Sequence, residues 1–442
     1  MKVLKFGGTS VGSAERIQNL TRIIPTTTPC VVVLSAMAGV TNNLEKCISY
    51  AKETKLNEAK GMLQLVEQMH LETCNNLFST SKYKMRGKEY VKKMFGDMYL
   101  KLDGFSARPA KEILAMGESL STQFLHLYFT EQGVNTALIP ALQFMRVDKD
   151  GEPDYLYITE NLSRILDTCT GINVIITQGF VCKDTKGEID NLKRGGSDFT
   201  AAIIGNAINA SEVQIWTDID GFHNNDPRFV ENTLPIRDLS FDEAAELAYF
   251  GAKILHPSTI HPCREKDIPV ILKNMLRPSD IGTTITSTHK HGGIKAIAAK
   301  DGITAIRIKS LRMLMAYGFL KKIFDVFNEN ETPVDLITTS EVAVTLTIDN
   351  TENLTSITKA LGEFSSVEIV QNQTIICVVG DFLAENPGMA SKVFNSLNDT
   401  PISLISYGGS LHNITLLVNK DSKIQALRAL QNIVSVPEPA NH

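Results

Sequence analysis

The 442-residue sequence has no long uninterrupted apolar run. Its longest apolar stretch, Val31 to Val40, is broken by Ser35 and Gly39. It is far shorter than the roughly 20 residues of a bilayer-crossing helix, so no membrane partner is expected. Positive charge is not in excess either: 44 Lys and Arg stand against 49 Asp and Glu, a formal net charge of -5, with no massed basic run. That balance argues against a general nucleic-acid binder. The seven cysteines are scattered, with no C-x-x-C pair and no metal-ligand spacing. A disulfide framework and a protein-held metal centre are therefore not expected. The thiols read as reduced, in a cytoplasmic protein, with Cys30 and Cys377 packed inside apolar runs. A signal peptide is not expected, because the N-terminus opens directly on a glycine turn. Two familiar phosphate signatures are also missing: the Walker lysine follows its glycines, and the dinucleotide fingerprint spaces them as G-x-G-x-x-G.

What is there is an apolar run with a lysine inside it, Val3-Leu4-Lys5-Phe6, followed at once by Gly7-Gly8-Thr9-Ser10-Val11-Gly12. Ile17, Leu20, Ile23 and Ile24 then recur at helical spacing behind Ser13, a candidate N-cap. The reading is strand, glycine turn, helix. Glycines without Cβ let backbone N–H groups crowd an anion, and a helix N-terminus adds positive potential. Lys5 would add a point charge for a phosphoryl group.

The same theme returns. Cys30 to Leu34 reads as a buried strand opening onto the small, polar stretch Ser35 to Asn43. Residues 57 to 103 read as an inserted helical segment, and Pro109 to Gln132 as a long helix carrying Gly117-Glu118. Lys193-Arg194-Gly195-Gly196-Ser197-Asp198 precedes a helical run, and the strand Val213 to Thr217 ends at Asp218. A helix is expected from Phe241 to Leu255 and a strand at Ile268 to Lys273. Strands alternating with helices over the first 280 residues predict an α/β domain with a mainly parallel sheet and helices on both faces. Ligands in such domains lie beyond the strand C-termini, where each polar cluster falls.

Five blocks then carry a specific resemblance: Lys5 to Ser10, Ser35 to Asn42, Arg194 to Asp198, Trp216-Thr217-Asp218, and Phe250-Gly251-Ala252-Lys253-Ile254-Leu255-His256-Pro257. In this order they resemble the aspartate kinase family, of the amino-acid kinase fold. The resemblance implies ATP-dependent phosphorylation of L-aspartate to 4-phospho-L-aspartate, with Mg2+. This is the first step toward lysine, threonine and methionine and toward diaminopimelate. It implies Lys5 and Asp198 as catalytic residues, and Ser35, Thr41, Glu118 and Arg194 as aspartate ligands. Lys5, Gly7, Gly8, Ser10, Thr217, Asp218, His223, Arg228 and Lys253 would bind ATP. Two positions depart from the family: His223 stands where relatives often carry Tyr, and Lys193 where a Gly often precedes the Arg. The alternatives are another amino-acid kinase, such as an N-acetylglutamate kinase, and a catalytically inactive amino-acid sensor. A fused homoserine dehydrogenase is not expected, since nothing follows the last repeats.

Those repeats occupy the last third. Gly318 to Phe324 leading to Thr332-Pro333-Val334 is echoed by Gly388 to Phe394 leading to Thr400-Pro401-Ile402. Each copy reads as a βαββαβ, ferredoxin-like unit, the second borrowing a strand from Ile294 to Ala299. The pair resembles tandem ACT domains. The expected division is a catalytic domain at 1–280, a first ACT domain at 310–376, and a second one split between 294–309 and 377–436. The resemblance further implies feedback by lysine at Met313, Gly318, Phe319, Leu320, Asp335, Ser340 and Glu341. Asp335 and Glu341 would be the acids facing its cation, and threonine, alone or with lysine, is the alternative effector. Ala316 stands where lysine-sensitive relatives tend to carry Ser. A homodimer, or a dimer of dimers, through the ACT domains is implied as well.

Overall fold

The computed structural model describes all residues except 104–108, 193–194, 252–254, 289–292, 311–316, 382 and 435–442. The chain forms two compact units. One comprises 1–221, 237–241 and 255–287; the other comprises 222–236, 242–254 and 288–442.

The first unit begins β1 (Lys2–Phe6), α1 (Ala14–Asn19), β2 (Cys30–Leu34) and α2 (Val40–Lys52). Three long helices follow, α3 (Leu56–Leu77), α4 (Ser81–Asp103) and α5 (Pro109–Glu131). Then come β3 (Thr136–Leu138), α6 (Tyr155–Thr168), β4 (Val174–Gln178), the hairpin β5 (Val181–Lys183) and β6 (Ile189–Asn191), α7 (Gly196–Ala207), and β7 (Glu212–Thr217). After β8 (Asp238–Ser240), α8 (Phe241–Tyr249) runs mostly in the second unit. The chain then returns with α9 (Pro257–Glu265), β9 (Val270–Asn274) and β10 (Thr283–Thr286). The sheet order is β3-β4-β2-β1-β7-β9-β10-β8, parallel throughout except where β10 runs against β9. All five residues of β2 are buried, the uniform apolar pattern of a central parallel strand covered on both faces. The register aligns Phe6 with Leu34 and Trp216, and Leu34 with Gln178. The C-terminal ends of β1, β2, β4 and β7 therefore lie side by side, each continuing into one of the polar turns. Fully burying a side chain such as Phe6 or Leu34 contributes roughly 2 to 3 kcal/mol, and that clamps the strand ends.

The second unit holds β11 (Ile294–Lys309), α10 (Phe319–Glu329), β12 (Leu336–Thr339), β13 (Ala343–Ile348), α11 (Leu354–Gly362), β14 (Ser366–Gly380), α12 (Met389–Ser396), β15 (Ile402–Tyr407), β16 (Asn413–Asn419) and α13 (Lys423–Gln431). Its sheet order is β12-β13-β11-β14-β16-β15, antiparallel at every pairing. The division differs from the expected one. Residues 304–309 of β11 pair with β13 of the first repeat, while 294–300 pair only with β14. Residues 373–379 of β14 pair with β16 of the second repeat. One long strand thus serves both copies, and the register shifts between Lys300 and Ala305, around Gly302 at φ +79°. The expected helix from Phe241 to Leu255 stops at Tyr249. Gly251 adopts φ +144°, and a Cβ there would stand 2.2 Å from the Ala299 carbonyl oxygen.

All seven cysteines are free. Among the described residues no helix is long and apolar enough to cross a membrane.

Candidate active site

Lys5 lies in β1, is 9% exposed, and needs a partner because a buried ammonium is costly alone. Its Nζ stands 2.6 Å from Asp198 Oδ1. Asp198 sits in the first turn of α7, where the helix N-terminus favours a carboxylate. The turn before α7 requires glycine. Gly195 has φ +68°, and a Cβ there would meet the Thr259 methyl at 2.2 Å. Gly196 has φ +47°.

The glycine turn after β1 is braced against the loop after β2. Ala38 N donates to Gly8 O at 3.0 Å, and a Cβ on Gly8 would meet Ala36 O at 2.8 Å. Ala36 also explains the glycine beside Glu118: a Cβ on Gly117 would meet the Ala36 methyl at 2.8 Å. That approach brings Glu118 Oε1 within 3.1 Å of Ala36 N, which donates to it. Glu118 is 4% exposed, and burial raises its carboxyl to about 7, against the opposing pull of the Ala36 and Glu118 amides and the Lys5 charge. Ser35 Oγ donates to Ser197 Oγ at 3.0 Å, and Ser121 Oγ donates to Ser35 O at 2.7 Å. Ser10 is 1% exposed, and among the described residues its Oγ has no hydrogen-bond partner. It lines a cavity of about 280 Å³ with Thr9, Arg16, Asp218, Met275 and Leu276. Thr217 Oγ1 donates to Asp218 Oδ1 at 3.2 Å.

The geometry thus joins Lys5 to Asp198, and Ser35 to Ser197. Glu118 is tied to the loop after Ser35, which runs through Gly39 (φ +80°) into α2 and Thr41. Ser197 and Ser121 were not expected. Ser197 stands in the quoted Arg-Gly-Gly-Ser-Asp stretch, but sequence alone reads it as a helix cap. Arg194 and Lys253 lie outside the described residues, as do Lys193, Met313 and Ala316. His223 and Arg228 belong to the second unit. There His223 Nδ1 is 3.2 Å from Thr233 Oγ1, and Arg228 pairs with Asp226 at 2.6 Å while staying largely exposed.

The residues expected to meet an effector also divide. Gly318, at φ +80°, caps α10 and makes no side-chain cap bond. Phe319 is a core residue, edge-on to Phe364 at 5.7 Å, whereas Leu320 is 40% exposed. Ser340 Oγ accepts from Ala343 N at 3.2 Å. Asp335 accepts from Lys300 Nζ at 2.8 Å and from Tyr249 Oη at 3.0 Å, and Lys300 also reaches Asp349. Of the two acids, Glu341 is the exposed one.

Comparison with known proteins gives the same reading. Residues 1–274 match the model of the amino acid kinase family, and residues 376–433 that of an ACT domain. The chain is 32% identical to lysine-sensitive aspartokinase 3 of Escherichia coli, over 97% of this chain and 98% of that one. It is also 32% identical to chloroplastic aspartokinase 2 of Arabidopsis thaliana, over 99% of this chain and 85% of that protein. Among solved structures, E. coli aspartokinase III in complex with aspartate and ADP superposes with a TM-score of 0.84, at 31% identity, over 98% of this chain and 99% of that one. The aspartokinase of Clostridium acetobutylicum gives 0.83 at 26% identity, over 98% and 99%. Matched along nearly its whole length, this chain belongs to the aspartokinases of the amino acid kinase family.

Proposed function

We infer that the chain transfers the γ-phosphoryl group of ATP to the side-chain carboxylate of L-aspartate. The observation that carries this is the buried Lys5–Asp198 pair at the meeting point of two glycine turns, with Ser35 and Glu118 beside it and Thr217 and Asp218 one strand away. Phosphoryl transfer needs alignment and charge neutralisation more than covalent help from the protein. Lys5 holds the phosphoryl oxygens as their charge shifts, and Asp198 keeps the ammonium aimed. Gly7, Gly8 and the Ser10 hydroxyl cradle the phosphates. Thr217 and Asp218 take the rest of the nucleotide. Glu118 receives the substrate ammonium, Arg194 its α-carboxylate, and Ser35 and Thr41 its polar edges. Mg2+ bound with the nucleotide would supply charge neutralisation on the phosphates. Among the described residues no three His, Cys, Asp or Glu side chains group to hold a metal.

The test is ADP release from Mg-ATP with aspartate, glutamate and N-acetylglutamate offered separately. Aspartate alone should support turnover. Turnover on N-acetylglutamate instead would move the chain to another amino-acid kinase, and none at all would make it a sensor.

The second unit is read as a lysine sensor. The E. coli relative is described as lysine-sensitive, and its structure has been determined with lysine and aspartate. Here the N-terminus of α10 would take the effector's α-carboxylate and Glu341 its cation. A homodimer, or a dimer of dimers, would form through the repeats of the second unit.

A further inference from the structure

Between β4 and β5 the chain reverses over one residue. Val181 N donates to Gly179 O at 2.7 Å, closing a γ-turn whose central residue, Phe180, has φ +67°. This positive-φ γ-turn is rare and strained, and bulky residues seldom enter that region. Strain of this kind persists only where the surroundings hold it. The turn lies against the Ser35–Ser197 pair already described. Gly179 N donates to Leu34 O at 2.9 Å, next to Ser35. Ser197 fills the space where a Gly179 Cβ would be, 2.3 Å away. The Phe180 ring comes within 3.8 Å of where a Gly196 Cβ would sit.

One side chain ties the strained turn to α7. Thr200, with no exposed surface, accepts a hydrogen bond from Phe180 N at 2.9 Å and gives its own proton to Gly196 O at 3.3 Å. Its single hydroxyl therefore fastens two left-handed residues, Phe180 and Gly196, beside Ser197. A bond to the fourth residue back is ordinary for a helical threonine; the bond to a strained turn on another element is not.

We propose that Thr200 is a positioning residue for the amino-acid substrate. Its hydroxyl locks the Phe180 turn to the start of α7, and so holds the hydrogen-bonded Ser35–Ser197 pair in place. The proposal rests on the reading of the site at Ser35 as the aspartate site. Thr200→Val keeps the shape and removes the acceptor, leaving the partly buried Phe180 N–H without that bond. Released, the turn can relax toward ordinary φ and pull Gly179 away from Ser197.

The experiment is steady-state ADP release by wild type, Thr200→Val and Thr200→Ser, varying aspartate and ATP in turn. Thr200→Val should raise the aspartate KM about ten-fold or more and leave the ATP KM within about two-fold. Thr200→Ser, which keeps the hydroxyl, should restore the aspartate KM to within about three-fold of wild type. A general packing defect would move both KM values together, and would not separate serine from valine. Should the valine chain not accumulate folded, Thr200→Cys serves the same comparison, because a thiol is a weak acceptor of similar size. An aspartate KM unchanged in Thr200→Val, or in Thr200→Cys where that is used, overturns the proposal. So does an equal rise in both KM values. A wild type without aspartate-dependent turnover sinks the aspartate reading instead, and the two failures are distinct.

Discussion

Lys5→Met should remove turnover far more than it weakens aspartate binding, because the ammonium matters most while charge moves between oxygens. Comparing kcat with the aspartate KM checks this, and an unchanged kcat with only a raised KM contradicts the role. Arg194→Ala should raise the aspartate KM, and Arg194→Lys should repair it poorly, since an ammonium lacks the planar fork. Glu118 gives a pH signature. Burial lifts its carboxyl to about 7, so below that pH it is protonated and cannot receive the substrate ammonium. The aspartate KM should climb as pH falls through about 7, by up to about ten-fold per unit, and lie flat in Glu118→Gln. The same shift acts on folding with a definite sign. A carboxyl raised from 4.5 favours the folded chain below 4.5, and that contribution is lost as pH rises through about 7. His70 works oppositely. It is wholly buried, with rings of Phe95 and Phe124 within 5.9 Å, and Nδ1 donates to Val66 O. Burial pushes its imidazole from 6.5 down to about 4. The unfolded chain takes up a proton that the folded chain refuses, so about 3 kcal/mol of stability should drain away between pH 6.5 and 4. Urea unfolding of wild type and His70→Leu at pH 7.5 and 5 checks this. Equal losses in both would exclude His70 as the cause. At this scale Lys5, Glu118 and Asp198 were legible because glycines flag them, while Thr200 was not, because its partner lies 20 residues back on another element.

Elements were legible where apolar periodicity and a glycine agreed. The strand–turn–helix at β1 and α1 is one case, and the two helices opened by Gly318 and Gly388 are others, each with a left-handed cap. They were misread where a long-range contact decided the matter. Asp301-Gly302 looks like a strand end, yet β11 passes through it because β14 pairs on both sides. The end of α8 depends on Gly251 meeting the Ala299 carbonyl, which no local pattern announces. Gly251→Ala should therefore destabilise the second unit by more than the roughly 1 kcal/mol of an ordinary surface change, since it combines a forbidden φ with a backbone collision. Thermal unfolding would show a lowered transition, and an unchanged Tm would mean that this segment yields freely. Gly8→Ala would collide with the Ala36 carbonyl and displace the glycine turn proposed to hold the phosphates, so its damage should appear in the ATP KM.

For the molecule as a whole, lysine can inhibit only by as much as it prefers one arrangement over the other, whatever its affinity. Titrating aspartate-dependent ADP release with lysine, threonine and both should show inhibition by lysine, weakened in Glu341→Ala. Inhibition by threonine alone, or lysine inhibition undiminished in that variant, would refute the site. Asp335 is the poorer candidate acid, because Lys300 and Tyr249 already claim it. The two-part plan of the chain was visible in its sequence as α/β alternation followed by a repeat, but the sharing of strands between the repeats was not. That sharing limits how such a gene can change. Residues 304–309 lie between β13 and β14, so a fragment that starts at 310 lacks its central strand. A deletion of either repeat strips a strand from the survivor, so the two copies, once duplicated, can be inherited or lost only together.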